Sequence, residues 1–224
     1  MKELGKIHQL IIPFGGHNIT INLEVILMTW IVFAIIIMIG LAATRKRGIL
    51  PRPFQVLGEL IVSLLYELTE DAMGKEMAKK YAPLVCALFL FLIFSNWLGL
   101  VPHLEEPTKD LNTTLGLGIM GFIIAHYAGI KTKGFKAYAK EYFQPIFFMM
   151  PLNLIGELAK IVSISFRLFG NIMGGSIIIL VVSYLTYSVL LPPFLYAFFG
   201  LFVGTIQAFV FTMLTVVYIS VQVK

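Results

Sequence analysis

One long apolar stretch places the strongest limit on how this chain can fold. From residue 146 the sequence stays apolar until Pro192 and Pro193. As a helix rising ~1.5 Å per residue, residues 151–191 alone would extend about 60 Å, twice the ~30 Å hydrocarbon core of a bilayer. In a membrane such a helix must lie steeply tilted or bend. The double proline then turns the chain, so residues 146–191 and 194–223 are predicted to form a long, tilted helical hairpin.

Charged side chains lie within this apolar stretch. Residues 151–176 read PLNLIGELAKIVSISFRLFGNIMGGS, and a charge at bilayer depth costs ~2.5 to 3.5 kcal/mol or more. At ~100° per residue, five polar side chains fall within about 80° of one another on the helix surface. They are Asn153, Glu157, Lys160, Arg167 and Asn171. Since lipid would leave these groups unpaired, the stripe must face a partner, a water-filled cavity or both.

The composition agrees with an integral membrane protein. Hydrophobic residues make up 58% of the chain and charged residues only 13%. The net charge of +5 does not indicate nucleic-acid binding, because the basic residues cluster beside hydrophobic spans, where the positive-inside rule accounts for them. The one cysteine, Cys86, lies in an apolar run, which excludes an intrachain disulfide and predicts a buried small hydrophobic side chain.

The remaining chain is predicted to contain three further spans, residues 23–44, 81–101 and 113–130. Residues 54–73 instead alternate leucines with acidic residues at helical spacing, which is typical of an amphipathic helix on the membrane surface. Residues 1–22 lack the features of a removable signal peptide, and we expect them to form an outer segment. The predicted fold is an all-α integral membrane protein, a single membrane domain with about five membrane helices and one amphipathic surface helix.

The third span contains GLGIMG, which matches the dinucleotide-binding fingerprint letter for letter. No strand precedes it, so we interpret Gly116, Gly118 and Gly121 as glycines that allow close helix packing.

The distribution of lysine and arginine predicts the topology. Twelve of these residues fall in segments assigned to the cytoplasm and three in outer segments, which places the N-terminus outside and the C-terminus in the cytoplasm. The cytoplasmic set is Arg45, Lys46, Arg47, Arg52, Lys75, Lys79, Lys80, Lys131, Lys133, Lys136, Lys140 and Lys224. The outer set is Lys2, Lys6 and Lys109.

Three segments resemble a known family. The runs PLNLIGELAK, SISFRLFGNIMGG and TIQAFVFTMLTVVYIS are similar to subunit a, the ion-channel subunit of rotary F-type ATP synthases, and the resemblance extends from about residue 23 to the end. It implies a stator subunit without a catalytic site or cofactor, in a bacterial plasma membrane. The implied partners are a ring of c subunits, the peripheral-stalk b subunits, the remaining synthase subunits and the lipid bilayer.

The resemblance also implies roles for the charged residues of the stripe. Arg167, in RLFGN, would face the c-ring carboxylates and separate two offset aqueous half-channels. A guanidinium stays charged at any relevant pH and electrostatically blocks direct leakage between the channels. Glu157 would line the cytoplasmic half-channel, although a local pair with Lys160 at i+3 is an alternative, and both interpretations are compatible.

The resemblance also implies roles for several amide and glycine residues. Asn171 and Gln207 match amides of the outer half-channel, with interhelical hydrogen bonding as the alternative for Gln207. Asp110 and Asn112 would lie at the outer mouth, or simply in a solvated loop. Close packing on the c-ring is expected for Gly170, Gly174, Gly200 and Gly204, with packing within the subunit as the alternative for Gly170 and Gly174. His103 and His126 have no counterpart and are interpreted as interface residues.

Two positions depart from the family pattern. Many proton-translocating members carry a glutamate nine residues after the arginine and a histidine or glutamate seven before the glutamine, where this chain has Ser176 and Gly200. Protons could still cross through water. Oxygen-rich walls would equally suit Na⁺ in transit, a hard cation that prefers oxygen ligands, and no resident metal is expected. The residues of those walls are Asn171, Ser176, Ser183, Thr186 and Gln207, and the choice between H⁺ and Na⁺ stays open.

Two other classes of protein were considered. A free-standing secondary transporter is the first alternative, and against it the sequence shows no internal repeat and no pair of broken helices in corresponding halves. An intramembrane hydrolase would need a nucleophile and a base. Its only candidates are Ser163 and Ser165 near Lys160, and no catalytic motif accompanies them.

Overall fold

The structure is a computed structural model that describes residues 9–14, 17–44, 53–101, 104–142, 150–185 and 191–224. The described helices are α1 (Leu23–Thr44), α2 (Pro53–Met73), α3 (Lys75–Trp97), α4 (Leu111–Lys133), α5 (Phe135–Tyr142), α6 (Met150–Leu185), α7 (Leu191–Tyr196) and α8 (Gly204–Val223). A π-helical segment, Ala197–Val203, makes α7 and α8 one continuous helix. Short 3₁₀ turns occupy Leu98–Leu100 and Pro107–Lys109.

The predicted fold class is confirmed. Within the described ranges, five helices are long and apolar enough to cross a membrane, and α2 is a further helix. The last two, Met150–Leu185 and Leu191–Val223, contain 36 and 33 residues. Each would be about 50 Å long or more at ~1.5 Å per residue, so each exceeds the bilayer core as expected.

A β-hairpin precedes the first helix, and the sequence analysis did not predict it. Strand β1 (Gln9–Phe14) pairs antiparallel with β2 (His17–Asn22), with Gln9 opposite Asn22 and Phe14 opposite His17. Because α1 begins at Leu23, directly after β2, the hairpin continues into the first span.

Local chemistry explains several helix boundaries. Gly74 and Gly134 have φ values of 83° and 82°, a left-handed conformation that glycine adopts without strain, and they separate α2 from α3 and α4 from α5. Asp110 caps α4, since its side chain accepts a hydrogen bond from the backbone N–H of Asn112.

The core lies around α8, which packs against α2, α3, α4 and α6. Buried α8 side chains recur at spacings of three and four residues, which places them on one broad face of the helix. One apolar cluster joins α2, α3, α6 and α8 and contains Leu65, Leu88, Phe89, Leu92, Ile164, Leu168, Ile172, Ala208 and Phe211. The half-buried Cys86 packs at its edge. Helix α1 is attached through a smaller cluster of Val32, Phe91 and Leu98.

A buried polar network fixes the π-helical segment to α3. The Asn96 side chain is fully buried, and its Nδ2 donates to the backbone carbonyl of Gly204 at 2.8 Å. Thr108 Oγ1 donates to Asn96 Oδ1 at 2.8 Å, and Trp97 Nε1 donates to Thr205 Oγ1 at 3.0 Å. The network therefore ties the loop after α3 and the start of α8 to the end of α3.

Two of the three glycines of GLGIMG pack helices together, as interpreted from the sequence, and the third, Gly116, does not. Gly118 and Gly121 are buried, and a Cβ at Gly118 would meet the Ser165 hydroxyl and Ile161 of α6. At Gly121 a Cβ would lie 3.4 Å from Thr215 of α8. Gly116, two residues before Gly118, has open space at its Cβ position.

The two kinds of glycine provide a matched test of this packing. We expect Gly118→Leu to push α4 away from α6 and to destabilise the protein by about 1 to 3 kcal/mol, the usual cost of overpacking. Gly116→Leu should be nearly neutral, because its side chain enters open space. Thermal unfolding of the detergent-purified protein measures both changes, and equal melting temperatures for the two variants would contradict this assignment of the α4–α6 contact.

Candidate functional site

Arg167 lies on the open face of α6. Its neighbour Leu168 is fully buried and Ile164 almost so, and this packing turns residue 167 outward, where it is exposed. Within the described part of the chain, the guanidinium forms no hydrogen bond or ion pair. Gly170 and Gly174 share this face, and both have open space at their Cβ positions. The result is an unpaired positive charge beside a stripe of small residues.

A polar cleft lies toward the N-terminal end of α6. Lys160 Nζ is 2.6 Å from Glu157 Oε1, and the two side chains are 41% and 16% exposed. This ion pair is the local i+3 contact considered from the sequence. The Lys160 ammonium also lies 5.8 Å from the centroid of the Tyr218 ring. His126, Thr215 and Gln222 complete the polar lining of the cleft.

A second polar contact lies one turn beyond Arg167. Asn171 Nδ2 donates to Gln207 Oε1 at 2.6 Å, a hydrogen bond that joins α6 to α8. Gln207 is only 4% exposed, and in the described structure its Nε2 is buried without a hydrogen-bond partner. The hydrogen bond agrees with the alternative considered for Gln207, interhelical hydrogen bonding, and the Gln207 Nε2 group remains an unused donor.

Toward the C-terminal end of α6 lies an acidic vestibule, a cavity of about 500 Å³ between α1, the loop before α4 and α6. Its polar lining consists of Asn22, Glu24, Glu105, Glu106, Lys109, Asp110, Ser176 and Tyr196. A smaller inner cavity shares Glu106, Ser176 and Tyr196 with the vestibule and also reaches Asn96 and Asn171. A polar route therefore extends from the vestibule to the Asn171–Gln207 pair.

Of the other residues predicted for the outer half-channel, Asp110 and Ser176 line the outer cavities and Asn112 does not. Asp110 lines the vestibule, where its Oδ2 accepts from Asn22 Nδ2 at 2.8 Å in addition to its role as the α4 cap. Asn112 is exposed and is not part of the lining. Ser176 lines both cavities while its hydroxyl donates to the Ile172 carbonyl at 3.1 Å. Thr186 and His103 lie outside the described residues.

The four glycines predicted to pack on a c-ring separate into two pairs. Gly170 and Gly174 face open space, whereas Gly200 and Gly204 are packed within the chain. A Cβ at Gly200 would lie 2.6 Å from Leu100, and one at Gly204 would lie 3.1 Å from Asn96. For the second pair, these contacts show packing within the subunit, where the sequence had predicted packing on the c-ring.

Three further predicted residues do not line these cavities. Asn153 is half-buried and has a contact of its own, but it does not line the cleft around Glu157. Ser165, one of the two serines considered for a hydrolase, is fully buried and faces Gly118 of α4. Ser163 is exposed.

Sequence reasoning missed several residues of these cavities, above all Glu106 and His126. Glu106 borders both outer cavities, and His126 lies in the cleft with Glu157. The available signal for Glu106 was the acidic loop HLEEPTKD between two spans. For His126 the sequence offered only a polar residue within an apolar helix, and its ring stacks against Phe122 with 3.8 Å between centroids.

The fold and these cavities define a multi-pass membrane protein with polar clefts at opposite ends of one overlong helix. Glu157 precedes Arg167 by ten residues and Ser176 follows it by nine, which corresponds to roughly 15 Å and 14 Å along the helix. The unpaired Arg167 thus lies near the midpoint between the two clefts, and it lines neither.

Comparisons with known proteins identify the family. The profile of the ATP synthase A chain family matches residues 26–220. An ATP synthase subunit a from Moorella thermoacetica is 39% identical over 86% of this chain and 87% of its own length. The Helicobacter pylori subunit a is 36% identical over 92% and 90%, and that of Desulforamulus reducens is 32% identical over 91% and 80%. The chain belongs to the ATP synthase A chain family, the non-catalytic membrane subunits of that complex.

The Asn171–Gln207 contact generates a prediction that is independent of transport. In a double-mutant cycle of Asn171→Ala and Gln207→Ala, we expect a favourable coupling energy of about 0.6 to 1.7 kcal/mol, the range measured for interhelical hydrogen bonds in membranes. Thermal unfolding of the four proteins gives this energy. A coupling indistinguishable from zero would contradict the 2.6 Å hydrogen bond.

Proposed function

We propose that this chain is the ion-translocating stator subunit of the membrane sector of a bacterial F-type ATP synthase. Its two polar clefts provide two offset half-channels that deliver H⁺ or Na⁺ to the carboxylates of a rotating c-ring and collect the ion on the other side. The observation that carries the proposal is the unpaired Arg167 on the open face of α6, between the two clefts.

The charge of Arg167 explains how ion flow is coupled to rotation. A guanidinium stays protonated at any relevant pH, so it attracts a c-ring carboxylate that has lost its ion and repels a bound cation. Ions in one half-channel therefore cannot pass directly to the other, and they cross only by riding on the ring. The membrane potential supplies ~2.3 kcal/mol per elementary charge for each 100 mV.

The open face of α6 supports the position of the ring. The helix buries one side against α4 and α8, and its other side presents Arg167, Gly170 and Gly174 to open space. Small residues let two helix backbones approach closely in a membrane, as a ring helix passing Arg167 must do. Gly200 and Gly204 then support the last helix inside the subunit rather than contact the ring.

The two clefts supply the rest of the path. We assign Glu157, with Lys160 as its ion-pair partner and Asn153 nearby on the same stripe, to the cytoplasmic half-channel. Asp110 and Ser176 belong to the outer half-channel, together with Asn171 and Gln207 at its inner end. Asn112 lies at the outer rim. With the N-terminus outside and the C-terminus in the cytoplasm, this arrangement agrees with the lysine and arginine count.

The remaining partners follow from the same proposal. The chain acts as a single membrane domain in the bacterial plasma membrane and assembles with peripheral-stalk b subunits as well as the c-ring. A free-standing secondary transporter is the alternative. Purification separates them, because a synthase subunit should copurify with a c-ring and stalk, while a transporter should purify alone or as a homo-oligomer.

Removal of the central charge tests the mechanism. Arg167→Ala should abolish ATP-driven ion pumping by the reconstituted complex, because nothing then blocks leakage or discharges the ring carboxylates. ATP hydrolysis by the detached soluble head should persist. Val162→Ala, one turn earlier on a different side of α6 and 48% exposed, is the matched control and should pump normally. Normal coupled pumping by Arg167→Ala would overturn the proposed function.

The transported ion is decided by a second measurement on the same vesicles. Uptake of radioactive sodium that an uncoupler stimulates would identify a Na⁺ path, in agreement with the oxygen-rich outer walls. Acidification that an uncoupler abolishes, without sodium uptake, would identify protons. The proposed function fails if the intact complex transports neither ion when ATP is hydrolysed.

A further inference from the structure

We propose that Glu106 is the titrating carboxylate of the outer half-channel and passes protons between the acidic vestibule and the inner cavity. This inference rests on the proposed function and names the residue that replaces the relay missing at Ser176 and Gly200. It also selects protons as the transported ion.

Glu106 lies between the acidic vestibule and the inner cavity. Only three residues line both the vestibule and the inner cavity in the described structure, and they are Glu106, Ser176 and Tyr196. Of these, only Glu106 carries a carboxyl group, while Ser176 and Tyr196 carry hydroxyl groups. An ion that passes from the vestibule into the inner cavity therefore meets the Glu106 carboxylate where the two cavities join.

The side chain is held there by its surroundings. Glu106 is 11% exposed, and its carboxylate lies directly over Gly99, where a Cβ would clash with Glu106 Oε1. Pro107 follows in the chain and favours an extended backbone at residue 106, which has φ −71° and ψ 123°. Thr108 is fully buried and bound to Asn96, so the loop is anchored on the inner side of Glu106 as well.

Lys109 makes reversible protonation feasible. Its Nζ lies 2.7 Å from Glu106 Oε2, so the ionised carboxylate has a counter-charge although it is largely buried. When Glu106 takes a proton from vestibule water, Lys109 is released to three other carboxylates that line the vestibule, Glu24, Glu105 and Asp110. No charged residue from α6 or α7 lines either cavity in the described ranges, and Tyr196 is the only titratable group there.

The inner cavity provides the acceptor for the proton. It has room for about one water molecule, and it is also bordered by the amides of Asn96 and Asn171. A proton released by Glu106 would pass to that water, which restores the carboxylate and its pair with Lys109. From there the Asn171–Gln207 pair, with its unused Gln207 donor, leads toward Arg167 and the ring.

Substitution of Glu106 in the complete, reconstituted synthase tests the inference. Glu106→Gln preserves the shape and removes the titration, and it should lower ATP-driven proton pumping at least about tenfold, as expected when a positioned acid–base group is lost. Glu106→Asp should restore part of the rate. Glu76→Gln is the matched control, because it removes an exposed carboxylate at the start of α3 that lines neither outer cavity, and its rate should be close to that of the unmodified complex.

A pH profile separates a relay from a structural role. Pumping as a function of the pH on the outer side should show an inflection in the unmodified complex that disappears in Glu106→Gln and remains in Glu106→Asp. Gly99→Ala tests position alone, since its methyl group must displace the carboxylate. It should slow pumping while the c-ring still copurifies, which also covers the case in which Glu106→Gln does not assemble.

Several outcomes would overturn the inference and leave the proposed function intact. These are an unchanged rate and pH profile in Glu106→Gln, an equal loss in Glu76→Gln, normal pumping by Gly99→Ala, or sodium as the only ion carried by the unmodified complex. Failure of the proposed function looks different, because the unmodified complex would then pump neither ion or Arg167→Ala would pump normally.

Discussion

The cost of placing a charge in a low-dielectric environment governs this protein. Arg167 sits within an apolar helix, and no described side chain of the same subunit neutralises it. Such a charge is stable only beside water or an anionic group on a partner. The rest of the subunit supports this requirement, because α4 and α8 pack one side of α6 and thereby direct Arg167 to the open side. Apolar packing in the rest of the subunit offsets the free-energy cost of keeping the arginine in this position.

Helix α8 is the second part of this support. It lies at the centre of the described bundle, and its start is bound to α3 through Asn96. The π-helical segment Ala197–Val203 lies directly before that contact. Extra residues in a π-turn rotate the following helix relative to the preceding one, so the segment helps to set which α8 residues face α6. Gln207, one turn later, consequently reaches Asn171.

The two ends of α6 have different electrostatic character. Around Glu157 the carboxylate is paired with Lys160, and the cleft is narrow and lined by aromatic rings and small residues. The opposite end opens into a much larger vestibule, where four carboxylates face one lysine. In the proposed function, the potential of this acidic vestibule would concentrate cations and favour their entry from that side.

Periodicity predicted much of this arrangement. The stripe from Asn153 to Asn171 was recognised from ~100° spacing alone, because side-chain direction within a helix is set by local backbone geometry. Periodicity did not show which side of α2 would meet the bundle. The side chains that pack there are Leu65, Thr69 and Met73, while Leu60 and Leu64 are exposed. The β-hairpin was missed because its two short strands precede any strong apolar signal.

The sequence by itself determined that the chain has about five long apolar helices, which face of α6 carries its polar groups and the family to which the chain belongs. Tertiary structure alone decided which glycines have open space at their Cβ positions, which side-chain amides form hydrogen bonds with each other and where Glu106 lies. The contacts that determine these features join residues far apart in the sequence, for example Asn96 and Gly204, which are 108 positions apart. Spacing along one helix follows from backbone geometry, but the register between two helices depends on side chains that interlock across their interface, and one chain's periodicity does not contain that information.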